Sequence, residues 1–323
     1  FTKAAAMGLK ARLLLFGASP LFNDTQPYLA GEASDKNYTW HGGYDAALWS
    51  RAAQASKELL DRVNAEAGYA LTNTGNPRED FQDAYYNRGN GEVLISTRVR
   101  YRSGFRFNGQ YYFYQSAGNY GTACPTKEYV DMFPMADGTP IEAAGSGWDP
   151  SDPWANRDPR LYETVLVNGD DFQGRKAELW INGRERRNIN FNGTKSGFGI
   201  RKFLLEQNGA TSFQSVVHWP YLRLAEIYLS YAEALNEANG GPTAEAYAAV
   251  NKIRNRVGLN NLTPGLSPVA FREAVLKERA LEFGYEEVRW FDIIRWKMED
   301  AFTKTLHGVN TTKQGNTLTY ETF

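Results

Sequence analysis

The chain has 323 residues, 42% of them hydrophobic, which is enough apolar material for a sizeable core, and its single cysteine, Cys124, excludes an internal disulfide and a cysteine-rich metal site. Thirty-six Lys and Arg against 37 Asp and Glu leave a net charge of −1; with no polybasic segment, there is no electrostatic footprint for nucleic acid or for an anionic membrane surface. The unusual feature is aromatic: 8 Trp, 19 Tyr and 18 Phe, many of them in Gly- and Asn-rich text where a core does not call for them.

The first predicted element is a helix within residues 2–23, where Met7, Leu14 and Phe16 sit among alanines. Lys10 and Arg12 interrupt it, so the apolar run is too short to span a bilayer. Residues 23–43 form a loop whose Tyr28, Tyr38, Trp40 and His41 lie among Gly, Ser and Asp, marking them for a surface. A second helix is predicted over 44–67, from Ala47, Leu48, Ala52, Ala55, Leu59 and Val63 at helical spacing.

From residue 72 to 218 the helical period disappears. Gly, Asn, Asp and Pro punctuate short runs at 92–100 and 162–168 that predict short strands. A long segment of this kind inside a compact domain predicts functional loops held by a rigid frame.

Helical spacing returns over 219–300. A helix is predicted through Leu224, Ile227, Tyr228, Tyr231 and Leu235, with Glu226, Glu233 and Glu237 off that stripe, until Gly240-Gly241-Pro242 ends it. Thr243 caps a second helix carrying Ala246, Tyr247, Val250, Ile253 and Val257. Ser267-Pro268 opens a third with Phe271, Val275, Leu276 and Phe283, and after Gly284 a fourth carries Val288, Phe291 and Ile294. The expected fold is mainly α: a tetratricopeptide-like superhelix of helical hairpins with a large loop-rich insertion containing short strands. Residues 1–71 supply repeat helices, 72–218 the ligand-binding loops, 219–300 the C-terminal hairpins and 301–323 a polar tail, all within one domain.

The stretch RLAEIYLSYAEALNE, followed by ERALEFGYEEVRWFDIIRW, resembles the C-terminal signature of the SusD/RagB family of bacterial outer-membrane nutrient-binding lipoproteins. Residues 2–23, 125–141 and 156–170 resemble further segments of that family. The sequence departs from it at Glu287, where the family's aromatic-Glu-Gly-x-Arg turn has glycine. The resemblance implies a non-catalytic protein, without cofactor, that binds oligo- or polysaccharide at the cell surface and delivers it to a TonB-dependent, SusC-like outer-membrane transporter. It further implies that this chain is the C-terminal portion of a longer protein, whose missing N-terminal part carries the lipid anchor and completes the scaffold. A peptide-binding member of the same family and a helical-toroid carbohydrate-active enzyme are the alternatives.

Three constellations bear on function. An aromatic set, Phe105, Phe107, Tyr111, Tyr112, Phe113, Tyr114 and Tyr120 followed by Trp148 and Trp154, has Asn108, Gln110, Asn119 and Arg157 nearby to bond hydroxyls. Such rings cover the C–H face of a pyranose, or else build a small core beneath the loops. The residues chosen as ligand-binding are Trp148, Trp154, Tyr114, Tyr120, Asn119, Tyr112 and Trp40. Asn156-Arg157-Asp158-Pro159-Arg160 reads as a loop clasp, with Asp158 accepting backbone N–H groups, rather than an anion clamp. The charges of Glu278, Arg279, Glu282, Glu286, Arg289, Asp292 and Arg295 have the spacing of ion pairs along and between helices rather than of a catalytic acid and base. His41, His218 and His307 are scattered, with no metal-binding spacing.

Overall fold

The fold is that of a computed structural model, which describes every residue except 1, 67, 88, 100–123, 173, 187–193 and 204–216. In chain order the elements are helices α1 (Lys3–Ala18), α2 (Glu32–Asp35), α3 (Ala47–Ala65) and α4 (Pro77–Tyr86), strand β1 (Val93–Val99), then α5 (Lys127–Asp131) and α6 (Pro159–Thr164). Short strands follow: β2 (Val165–Leu166), β3 (Asp171–Phe172), β4 (Arg175–Lys176), β5 (Gly199–Ile200) and the longer β6 (Val217–Arg223). The helical half comprises α7 (Leu224–Asn239), α8 (Ala244–Arg256), α9 (Pro268–Glu282), α10 (Val288–Arg295) and α11 (Asp300–Thr303), before the hairpin β7 (Val309–Gln314) and β8 (Thr317–Thr322).

Four helix ends lie at the capping residues that the sequence signals. Thr2, Thr243 and Ser267 accept the N–H groups of Ala5, Ala246 and Ala270 at 3.1, 3.1 and 3.2 Å, and Gly240 closes α7 in the left-handed conformation at φ 64°. Small residues on α1 let the β1–β6 ribbon come close: a Cβ on Gly8 would lie 2.7 Å from Leu222 Cδ2. Helix α7 is the hub, packed by α1, α3, α8 and α9 and buried around most of its circumference. A second core of Val130, Phe133, Leu161, Val165, Phe198, Leu281 and Val309 joins the inserted segments to α9 and the last hairpin. Each such side chain, fully buried, contributes about 1.5–3 kcal/mol.

The helix-rich hairpin architecture expected from the sequence is present, with local corrections. Trp219 to Arg223, read as the start of a helix, is strand β6, antiparallel to β1. Trp219 precedes proline and is therefore biased to extended backbone, and Tyr221 faces out while Leu222 faces in, the alternation of a strand. Glu226 and Glu233, placed off the apolar stripe of α7, are buried, because Arg12 and Arg295 reach them. Within 72–218, Pro77–Tyr86 is helical, and helix α6 occupies residues expected to begin a strand at 162. The polar tail folds into the β7–β8 hairpin.

Candidate ligand-binding surface

The loop between α1 and α3 carries three exposed aromatic rings, including the most exposed one among the described residues, Tyr38. Its base is pinned by buried Asn23, whose Nδ2 donates to Ala18 O at 3.2 Å and Asp45 O at 3.0 Å while its Oδ1 accepts from Asp45 N at 2.7 Å. His41 closes the other side: its N–H donates to Phe22 O and its Nε2 to Gly17 O, both at 2.9 Å. Trp40 is half-buried, with Nε1 donating to Ser34 O at 3.0 Å. On this braced frame Tyr28, Tyr38 and Tyr44 are exposed, Tyr38 to 78%. Tyr44 was not singled out by its sequence, although Gly42-Gly43 before it marked the end of a loop rather than the interior of a helix.

The second loop carries Trp148 and Trp154, and the structure separates them. Trp148 is half-exposed on a segment held by local turns; Asp149 Oδ1 accepts from Ser151 N and Oγ, each at 2.8 Å, and Trp148 Nε1 donates to Pro153 O at 3.3 Å. Trp154, expected at the surface, is only 8% exposed. It packs edge-on against Phe198 and Tyr320 at 5.3 and 5.8 Å, because the C-terminal hairpin closes over it and gives a large apolar ring a core to fill. Tyr112, Tyr114, Asn119 and Tyr120 lie outside the described residues.

Arg157 is the clasp beneath this loop. Its buried guanidinium donates to the carbonyls of Pro153, Val130 and Phe133 at 2.8, 3.1 and 2.7 Å, so it is not available to sugar hydroxyls. Asp158 caps α6 by accepting Arg160 N–H at 2.9 Å and binds the Arg160 guanidinium, as the turn reading requires.

The acidic residues of the last hairpins form a buried lattice of ion pairs. Arg160 bonds Asp158 and Glu278; Arg223 bonds Glu92, Glu282 and Glu286; Arg256 bonds Glu92 and Glu282; Arg279 bonds Asp292; and Arg295 bonds Asp292 and Glu233. Burial alone would raise Glu286 and Asp292, but Arg223 and Lys202 around the first, and Arg279 and Arg295 around the second, hold both below the ordinary carboxylate range. Lys202, buried against the Phe81 and Tyr85 rings, is pushed down to about 8 by burial, against the pull of Glu286 at 2.6 Å. A catalytic acid needs a raised pKa, and the arginines around Glu286 and Asp292 shift both the other way. Arg289 departs from this pattern: among the described residues it has no hydrogen-bond or ion-pair partner, and it lines two cavities rather than joining the lattice.

Among the described residues no cluster of three His, Cys, Asp or Glu is placed to hold a metal ion, and no helix is long and apolar enough to cross a membrane. His307 is engaged by Glu128, with Nδ1 and Oε1 2.5 Å apart.

A family model described as the SusD family matches residues 92–323. SusD-like protein P25 of Formosa agariphila is 29% identical over 188 residues, which is 50% of this chain and 35% of that protein. SusD-like protein P2 of the same organism is 35% identical over 97 residues, 28% of this chain and 19% of that protein. Among solved structures, a SusD-like protein from Bacteroides fragilis superposes with a TM-score of 0.72 at 26% identity, covering 99% of this chain and 59% of that one. A SusD-like carbohydrate binding protein from the same species superposes with a TM-score of 0.67 at 22% identity, covering 94% and 69%. The chain thus spans roughly a fifth to a third of the curated relatives, by the 19% and 35% they match, and 59% of the first solved structure.

Proposed function

The chain belongs to the SusD family, and from that premise we propose that it binds oligo- or polysaccharide without cleaving it. The observation that carries this reading is the braced loop of residues 19–46. Tyr28, Tyr38 and Tyr44 stand in solvent there on a backbone fixed by Asn23 and His41, with Trp40 locked beside them. Exposed rings held rigidly offer flat apolar faces for the C–H side of a sugar at little ordering cost on binding. Trp148 is a further partly exposed ring, and Tyr112, Tyr114, Asn119 and Tyr120, which lie outside the described residues, are proposed as ligand contacts on their chemistry alone. The ion-paired state of the buried carboxylates supports binding over hydrolysis.

In the full-length protein the same reading places the molecule at the outer-membrane surface on a lipid anchor, passing its glycan to a TonB-dependent, SusC-like transporter. Calorimetry with a panel of oligosaccharides, together with an assay for new reducing ends, tests the central part. Binding without new reducing ends is expected, with Tyr38→Ala weakening it by about tenfold while thermal unfolding stays unchanged. Release of reducing ends favours an enzyme; capture of peptides with no sugar favours the peptide-binding alternative.

A further inference from the structure

A cavity of about 290 Å³ opens beside the turn joining α9 to α10, apart from the loops described above. Buried Lys202 and Ile200 line its depth, and Phe203 and Trp219 stack in its wall with centroids 4.7 Å apart. Trp290 is exposed at the mouth, and Tyr285 and Arg289 are half-buried beside it. The volume suits one sugar unit rather than a chain of them.

Two further observations mark this place. Apart from three asparagines, four non-glycine residues among those described have a left-handed backbone, and three of the four line this cavity: Phe203 at φ 66°, Tyr285 at 62° and Glu287 at 66°. A bulky side chain in that conformation costs free energy, and such strain gathers where a site must be held in shape. Arg289 supplies the second observation. It is drawn partly out of water and feels Asp292 only at longer range, with no hydrogen bond or ion pair of its own, although every other arginine near this turn is paired, Arg223 with Glu286 and Arg279 with Asp292. Lys202 is taken by Glu286, and Glu287 is exposed at the rim, so among the residues lining this wall Arg289 is the cation left without an ion pair, beside the neutral donors of Tyr285, Trp219 and Trp290.

We infer that this cavity receives a sugar unit bearing an anionic oxygen group, a carboxylate or a sulfate, with Arg289 donating to the anion and the ring lying against Trp290 or Trp219. The guanidinium fork matches either anion through paired hydrogen bonds, and the aromatic wall takes the apolar face of the same ring. The inference rests on the glycan-binding reading and specifies the class of glycan.

The test is calorimetry on the 323-residue chain with three oligosaccharides of matched length: an oligogalacturonate, a sulfated galactan fragment and a neutral galactan fragment. One anionic ligand is expected to bind roughly tenfold or more tightly than the neutral one, and which of the two does so separates carboxylate from sulfate. Arg289→Gln should erase that preference, leaving neutral binding and melting temperature as they were, since the substitution orphans no partner. Trp290→Ala, at an exposed ring, should weaken the anionic ligand. Equal affinity for all three, or a preference that survives Arg289→Gln, overturns the inference while leaving glycan binding intact. Failure of every oligosaccharide to bind removes both.

Discussion

Arg223 and Glu286 meet through two parallel hydrogen bonds, Nε to Oε2 and Nη2 to Oε1, both at 2.8 Å and both fully buried. The pair ties the end of β6 to the turn between α9 and α10, and Arg223 also serves Glu92 and Glu282. Arg223→Met would leave three carboxylates short of a cation in a dry interior. The expected loss is about 3–5 kcal/mol, read from urea denaturation midpoints. A midpoint within experimental error of wild type would show that the lattice is not what holds the hairpins together.

Lys202 makes the opposite case. Its pKa is pushed down to about 8 from an ordinary 10.5, so at neutral pH the native state holds a proton less tightly than the unfolded chain does. Between about pH 8 and 10.5 the unfolded state binds more protons, and stability from this group rises with pH across that window. Lys202→Met, which leaves Glu286 its two bonds from Arg223, should change the melting temperature little at pH 7 and flatten that rise. Melting curves taken from pH 7 to 10.5 decide it.

Acid acts through the carboxylates. Glu286 and Asp292 have native pKa values below their ordinary 4.5 and 3.8, so their contribution is complete above that range and is lost as pH falls through it. Denaturant midpoints should fall steeply below about pH 4. Asp292→Asn, already destabilised at pH 7, should show a shallower acid slope than wild type.

Glu287 adopts φ 66°, so the turn keeps the backbone that glycine takes freely even though the sequence departs from the family there. Its side chain is exposed, which leaves little for a substitution to lose. Glu287→Gly should therefore stabilise the protein by about 0.5–1 kcal/mol, seen as a rise in melting temperature. A drop instead would show that the carboxylate makes a contact worth more than the strain.

The two tryptophans of the second loop should behave differently. Trp154→Ala opens a hole against Phe198 and Tyr320 and is expected to cost about 3–5 kcal/mol. Trp148→Ala, at a half-exposed ring, should leave stability within about 1 kcal/mol of wild type and report on ligand affinity instead. Thermal unfolding of both variants beside their oligosaccharide titrations separates the roles.

The helical hairpins were legible because their signals are local: Thr243, Ser267-Pro268 and Gly240 mark ends, and the apolar stripes mark faces. Non-local effects were not. Trp154 is buried because Tyr320 arrives from 166 positions away, and Glu226 because Arg12 does. Two local signals were present and outweighed by composition. Asn76-Pro77 with Glu79 and Asp80 is a helix start, and Gly315-Asn316 between threonine-rich runs is a hairpin turn. Of the residues chosen for the site, Trp40 and Trp148 have rings within reach of solvent, and Arg289, read as a scaffold charge, stands apart from the lattice.

The lattice also bears on how the chain acquires its shape. Glu92 and Arg256 are 164 positions apart, Arg223 and Glu92 131, and Arg160 and Glu278 118, so the charges neutralise one another only after most of the polypeptide has come together. A half-assembled species would hold ions in a forming interior without their counterparts, which makes it poor in free energy and short-lived. Folding should accordingly be slow for so helical a chain and close to all-or-none from β1 through α10. Hydrogen exchange would then show the buried amides of α7 and α9 opening together, rather than one hairpin at a time as in a simple stack of repeats.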